Sequence, residues 1–225
     1  NWLSCLGNHD NYDKLHRQMD KYNLPSSHTG PVPYIEPGDQ VGGVFGCTRP
    51  TLHVHEGETT LLFGGAESTD ATYELGKDED GKPIHAQRRV PHKSWWKEES
   101  PTEEEFEALL HYMEVGQPRI MVTHDAPMLF RPPRLSDGTN GLSGRSYKYT
   151  AGQLQRVLNT STHKPELWFY GHHHQMDVRS DGDTTFCCTG MHVEGYIVIM
   201  EEEPILIPFN ATEPNEARRL KSLPL

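Results

Sequence analysis

Short apolar runs divide the chain into candidate strands. Residues 3–6, 119–122 and 167–170 each have the length and composition of a buried strand. Two further strands are predicted near residues 184–188 and 195–200. The first three runs are each followed by polar residues that include histidine, so each of these strands is predicted to end in a polar cluster.

The clearest helix is predicted within residues 100–118. Ser100 is a good N-cap, Pro101 suits the first helical position, and Glu103 completes a capping box. Gly116 followed by Pro118 predicts the end of the helix. Its apolar stripe is formed by Phe106, Leu109, Leu110 and Met113.

Other segments complete an alternation of strands and helices. Helical spacing of apolar residues predicts helices over about 12–22 and 150–159. Residues 51–65 contain two strand-like runs around a Glu-Gly-Glu turn and predict a hairpin. Residues 66–94 are mostly polar and predict a long excursion. This alternation is typical of a layered α/β domain.

The length of 225 residues fits one large domain. We assign residues 1–203 to that domain. Residues 204–225, which are rich in proline and charge, are predicted to run over the surface as a C-terminal tail.

Charge and composition exclude some classes of protein. The formal net charge of -11 argues against non-specific binding to nucleic acid or to an anionic membrane. No apolar run approaches the roughly 18 residues of a membrane span. The spacing of the four cysteines fits neither a zinc knuckle nor a disulfide framework, so we expect reduced thiols and a cytoplasmic location.

Three of the predicted strands end in clusters that contain metal-binding residue types. These clusters are Asn8-His9-Asp10, His124 and His172-His173-His174. In α/β sheets, functional groups gather at the carboxyl ends of strands. Imidazole, amide and carboxylate groups are ligands for zinc, manganese or iron in hydrolytic sites. A single strand-end histidine is more often structural, but three clusters in this order favour a metal site.

These blocks resemble those of the calcineurin-like metallophosphoesterases. "GNHD" (7–10), "VTH" (122–124) and "GHHH" (171–174) match three blocks of that family in the family's order. The resemblance implies a four-layer αββα sandwich and metal-dependent hydrolysis of a phosphate ester. Features similar to a bacterial and phage-like branch are "GGAESTD" (64–70), "RR" (88–89) and "WWKEESP" (95–101).

Two blocks of the family, D-x-H and G-D-x-x-D, are absent from these 225 residues. In the family they precede the "GNHD" block and supply the carboxylate that bridges two metal ions. We therefore expect that the chain is a fragment or truncated form without its N-terminal strands. On this expectation, the chain by itself binds metal weakly and is nearly inactive.

The resemblance also implies roles for the metal-binding residues. Asn8, His124 and His172 would hold one divalent cation, and His174 would contribute to a second. The two cations of the complete site would be manganese, iron or zinc. His173 lies between two ligands and is interpreted as structural.

Catalytic and substrate roles follow from the same resemblance. His9 would protonate the leaving oxygen of a phosphate ester, and Asp10 would orient its ring. Cationic residues in the long loop after His124 are candidates for binding the substrate phosphate, although solvated loop charges are an equal alternative. These residues include Arg131, Arg134 and Arg145.

Two functional hypotheses remain open from the sequence. The first is a metal-dependent phosphatase or phosphodiesterase, which the retained His9 favours. The second is a catalytically degenerate scaffold of the same fold that binds a protein partner. The absence of the two carboxylate blocks favours this second hypothesis.

Overall fold

The computed structural model of the protein describes most of the chain. This part comprises residues 2–7, 11–24, 31–33, 44–67, 72–81, 83–87, 89–132, 149–173, 176–189, 196–200, 203–207, 218–219 and 223–224. Within these ranges, no helix combines the length and apolarity that crossing a membrane requires.

Three α-helices separate groups of strands in the described part of the chain, and strands follow the last of these helices. The elements are β1 (Trp2–Cys5), α1 (Tyr12–Lys21), β2 (Pro31–Pro33), β3 (Val44–Cys47), β4 (Thr51–His55), β5 (Glu58–Phe63), β6 (Thr72–Lys77), β7 (Pro83–Gln87), α2 (Glu103–Gly116), β8 (Ile120–Thr123), α3 (Tyr149–Thr160), β9 (Leu167–Tyr170), β10 (Met176–Ser180), β11 (Thr185–Thr189), β12 (Tyr196–Met200), β13 (Glu203–Ile207), β14 (Arg218–Arg219) and β15 (Leu223–Pro224). Short 3-10 helices lie at Lys97–Glu99 and Met128–Phe130.

The central sheet has seven strands in the order β15-β10-β11-β9-β8-β5-β4. Its middle strands β5, β8, β9 and β11 are parallel to their neighbours in this group, so their carboxyl ends lie at one edge. A second sheet has the order β1-β3-β2, with β1 parallel to β3. The predicted α/β class is confirmed.

The main core lies between the central sheet and two helices. Alternate residues of the sheet, such as Phe63, Met121 and Trp168, share a buried cluster with Phe106 of α2 and Leu154 of α3. This alternation follows from the two-residue period of strands, which directs every second side chain to the same face.

The second sheet contacts the central sheet at β8, and α1 packs beside the end of β1. The Cys5 thiol is 3.7 Å from the carbonyl oxygen of Val122, which links β1 to the central sheet. Leu15 and Met19 of α1 pack with Leu6 in a separate buried cluster. The chain therefore has a mixed α/β architecture with helices packed beside a central sheet, in agreement with the predicted αββα class.

Helix α2 begins two residues later than predicted. Thr102, rather than Ser100, is the N-cap: its side chain accepts a hydrogen bond from the Glu105 N–H at 3.3 Å. The Glu105 carboxylate accepts one from the Thr102 N–H at 2.7 Å. The capping box is therefore Thr102 with Glu105, and not Ser100 with Glu103.

One predicted hairpin is confirmed and one was missed. Strands β4 and β5 pair antiparallel around Glu56 and Gly57, which both have positive φ, as the commonest two-residue hairpin turn requires. The polar excursion predicted for residues 66–94 contains the antiparallel hairpin of β6 and β7.

Parts of the predicted C-terminal tail pair as strands. Strand β13 pairs with β12 and β14, and β15 pairs with β10 of the central sheet. The proposed boundary between residues 203 and 204 stays a prediction.

Candidate metal centre

Two of the predicted metal ligands meet at the carboxyl edge of the central sheet. His124 directly follows β8, and His172 follows the neighbouring parallel strand β9. Their side chains approach so that His124 Nε2 lies 3.2 Å from His172 Nδ1. The ring centroids are 5.0 Å apart, with an angle of 67° between the ring planes. Strand order therefore joins two residues that are 48 positions apart in sequence.

The backbone after β9 turns sharply to present His172. The Gly171 N–H donates to the carbonyl oxygen of His124 at 3.1 Å, which ties the two loops together. His172 has a φ of +63°, in the left-handed region that residues other than glycine seldom adopt. Such a conformation costs about 1–3 kcal/mol and persists where the surrounding structure holds it.

Gly7, two residues after β1, packs against His124 of the same pair. A methyl group added to Gly7 would lie 2.7 Å from Cε1 of His124, so the glycine backbone is in close contact with the imidazole. The Tyr12 hydroxyl donates to the carbonyl oxygen of Gly7 at 3.1 Å and holds this segment. The "GNHD" block therefore begins directly beside His124.

Several predicted site residues lie outside the described residues. They are Asn8, His9, Asp10, His174, Arg134 and Arg145. Their predicted roles stay predictions.

We expect Gly7→Ala to lower the affinity of the site for a divalent metal by at least about tenfold. The added methyl group forces His124 or the β1 backbone to move, and such overpacking also costs about 1–3 kcal/mol of folding free energy. Zinc titration and urea unfolding measure the two effects. Gly152→Ala is the control because a methyl group there meets only Met128 Cε, at an ordinary contact distance of 3.6 Å. Equal metal affinity of Gly7→Ala and the unaltered chain would contradict this account.

Sequence reasoning missed the charged residue at the centre of the polar network, Asp125. Its side chain is 1% exposed, and its carboxylate accepts hydrogen bonds from the Ala126 N–H at 2.8 Å and from His173 Nε2 at 3.0 Å. Arg131 donates from Nε at 3.2 Å and from Nη2 at 2.5 Å. Burial alone would raise the pKa of Asp125, but the His173 hydrogen bond and the Arg131 charge hold it well below its usual range. The available signal was a carboxylate directly after a strand-end histidine.

Arg131 was predicted to bind substrate phosphate, and its observed contacts favour a different role. Its side chain is 8% exposed and engages Asp125 through two nitrogens. A guanidinium group that is buried in a bidentate ion pair is poorly placed to cover a phosphate. The substrate role of Arg131 stays a prediction without support from these contacts.

The histidine pair has the chemistry and spacing of two ligands to one cation. Two nitrogens that each lie about 2.0–2.1 Å from one metal are roughly 3.0–3.4 Å apart, depending on the coordination angle. The two nitrogens are at hydrogen-bond distance from each other, and this separation of 3.2 Å is also in the range for two ligands of one cation. No group of three His, Cys, Asp or Glu side chains suited to a metal occurs in the described part of the chain. A complete ligand set therefore needs a residue such as Asn8, which directly follows Gly7.

Comparison with known proteins places the chain in a family. No curated protein matches it. A solved structure titled "GAP50 the anchor in the inner membrane complex of Plasmodium" matches with 13% sequence identity and a TM-score of 0.37, covering 98% of this chain and 88% of that chain. The model of the calcineurin-like phosphoesterase family matches residues 1–176, which include β1, β8, β9 and the histidine pair. The chain therefore belongs to the calcineurin-like phosphoesterase family.

Proposed function

We propose that this chain contributes part of the active site of a metal-dependent hydrolase of phosphate esters, in which His9 is the general acid. The observation that carries the proposal is the 3.2 Å separation of His124 Nε2 and His172 Nδ1 at the carboxyl edge of a parallel sheet. Membership of the calcineurin-like phosphoesterase family supports a metal-dependent phosphoesterase function in general. The cytoplasm is the proposed compartment.

The proposed ligands divide between two cations. Asn8, His124 and His172 would hold one manganese, iron or zinc ion, and His174 would contribute to a second. Such cations neutralise charge on the phosphoryl group and make a bound water acidic. His9 would donate its proton to the oxygen of the departing alcohol, and Asp10 would keep the His9 ring charged and oriented.

A scaffold that binds a protein partner without turnover is the second candidate. The described residues bring together two predicted ligands, and no third metal-binding side chain joins them there. Such a pair would fit a site that has lost catalysis and kept the fold.

An assay of the complete gene product separates the two candidates. We expect it to hydrolyse p-nitrophenyl phosphate or bis-p-nitrophenyl phosphate with manganese, and to lose this activity after chelation. Activity should return when manganese is added back. Hydrolysis that is unaffected by chelation contradicts the metal-dependent mechanism. Binding of manganese without hydrolysis of either ester supports the scaffold.

A further inference from the structure

We propose that Asp125 is a positioning residue that, through His173, holds His172 against His124 in the geometry needed to bind a metal. This inference rests on the proposed function because it concerns the same histidine pair. Asp125 is itself neither a predicted ligand nor a member of any block that the sequence identified.

The Asp125 carboxylate is fully committed within the protein. It is 1% exposed, and its two oxygens accept the hydrogen bonds from Ala126, Arg131 and His173. The positive charge of Arg131 offsets the free energy that burial of an unpaired carboxylate would cost. A carboxylate in this state is a rigid acceptor with a fixed position, and it has little capacity left to bind a cation directly.

The hydrogen bond from His173 joins the two loops that carry the histidine pair. Asp125 follows His124 in the loop after β8, and His173 follows His172 in the loop after β9. Fixing the His173 ring therefore limits the rotation of the backbone at His172, whose φ of +63° needs support from its surroundings. Since the contact lies one residue from each candidate ligand, small changes in it would displace the His172 ring.

Hydrogen bonds through Thr123 connect the loop after β8 to β9. The Thr123 hydroxyl donates to the carbonyl oxygen of Asp125 at 2.5 Å and accepts a hydrogen bond from Trp168 Nε1 at 2.8 Å. The backbone of Asp125 is thus held by the buried face of the sheet. Its side chain can act as a fixed point for His173 because its own backbone is fixed.

The opposite ends of the same strands provide a matched control. Arg119 precedes β8 and forms ion pairs with Glu58 at the start of β5 and, at 3.3 Å, with Glu166 just before β9. This contact also joins β8 to β9, but at the amino end of each strand. If metal affinity depended only on a firm pairing of β8 and β9, changes at either end of the strands would lower it. If it depends on the position of His172, changes at the Asp125 end lower it and changes at the Arg119 end do not.

Zinc titration calorimetry on the 225-residue chain tests the proposal. We expect His173→Ala and Asp125→Asn each to weaken zinc binding by about 10- to 100-fold, the usual effect of removing a partner that orients metal ligands. His173→Gln should recover most of the affinity because its amide nitrogen can replace Nε2 as the donor. Glu166→Gln should bind zinc as the unaltered chain does. Urea unfolding in metal-free buffer establishes that each variant is folded.

Two results would overturn the proposal in different ways. If His172→Ala loses zinc but His173→Ala and Asp125→Asn bind it with unaltered affinity, the positioning role is wrong and the metal site stands. If His172→Ala binds zinc as tightly as the unaltered chain, the metal site is wrong and the positioning role fails with it. If Asp125→Asn does not fold, the zinc affinity of His173→Ala still tests the positioning role, because this variant leaves the ion pair between Asp125 and Arg131 intact.

Discussion

Replacing His9 with alanine is expected to lower turnover by the complete gene product about 100- to 10,000-fold while its metal content stays unchanged. This range is the usual contribution of a positioned general acid. The proposed role of His9 is to protonate the leaving oxygen, so its loss should slow the chemical step without removing a ligand. Activity with both phosphate esters and elemental analysis of the purified protein measure the two quantities.

His172→Ala is the matched comparison because it should lower turnover and metal content together. The substitution removes the His172 imidazole, one of the proposed metal ligands, together with its 3.2 Å contact with His124 Nε2. If His9→Ala loses metal as His172→Ala does, His9 is a ligand and its role as general acid is wrong. If His9→Ala retains full turnover, another group supplies the proton.

Phe106→Ala is expected to lower the free energy of unfolding by about 3–5 kcal/mol. The Phe106 side chain is completely buried and joins α2 to the central sheet. Its ring centroid lies 5.1 Å from that of Phe63 and 5.9 Å from that of Tyr149 on α3. Removing it leaves a cavity between three elements, and the surrounding backbone cannot close this cavity completely. Urea unfolding followed by tryptophan fluorescence measures the change.

Val115→Ala on the same helix is the control because Val115 is 63% exposed. It should change the free energy of unfolding by less than about 0.5 kcal/mol. A cost below about 1 kcal/mol for Phe106→Ala would show that the interface between α2 and the sheet is not closely packed.

The elements that carry the site were predictable because their apolar runs are short, dense and clearly bounded. Strands β8 and β9 were predicted to within one residue, and their parallel pairing explains why His124 and His172 meet. The hairpin of β6 and β7 was missed because its apolar residues are few and lie in a mostly polar stretch, although Tyr73 and Leu75, and Ile84 and Ala86, occupy alternate positions. A stretch that is polar in composition can therefore contain strands, and the two-residue period is the signal that identifies them.

The error at the start of α2 has a specific cause. Ser100 with Glu103 and Thr102 with Glu105 both satisfy the capping-box pattern, so local sequence cannot distinguish them. The structure uses the second pair, in which Glu105 also accepts a hydrogen bond from Arg49 at 3.1 Å. That contact joins residues 56 positions apart in sequence, so no local sequence pattern predicts it.

The ion pair between Arg131 and Asp125 was not predictable for a related reason. A charged residue in a loop is usually solvated, and its burial depends on a partner that the tertiary structure supplies. Here the partner is six residues away, on the other side of a short 3-10 helix. The sequence contains both residues, but it does not indicate that they form a buried ion pair.

The separation of the histidine pair along the chain links ligand binding to folding. His124 and His172 become neighbours when β8 and β9 pair, so the unfolded chain does not contain the two-histidine site. A cation that binds this pair therefore binds the native state in preference to the unfolded state and stabilises it by mass action. At a free concentration one hundred times the dissociation constant, this stabilisation is about 2.7 kcal/mol. Metal supply would then affect how much of the protein remains folded, whether or not the bound cation takes part in turnover.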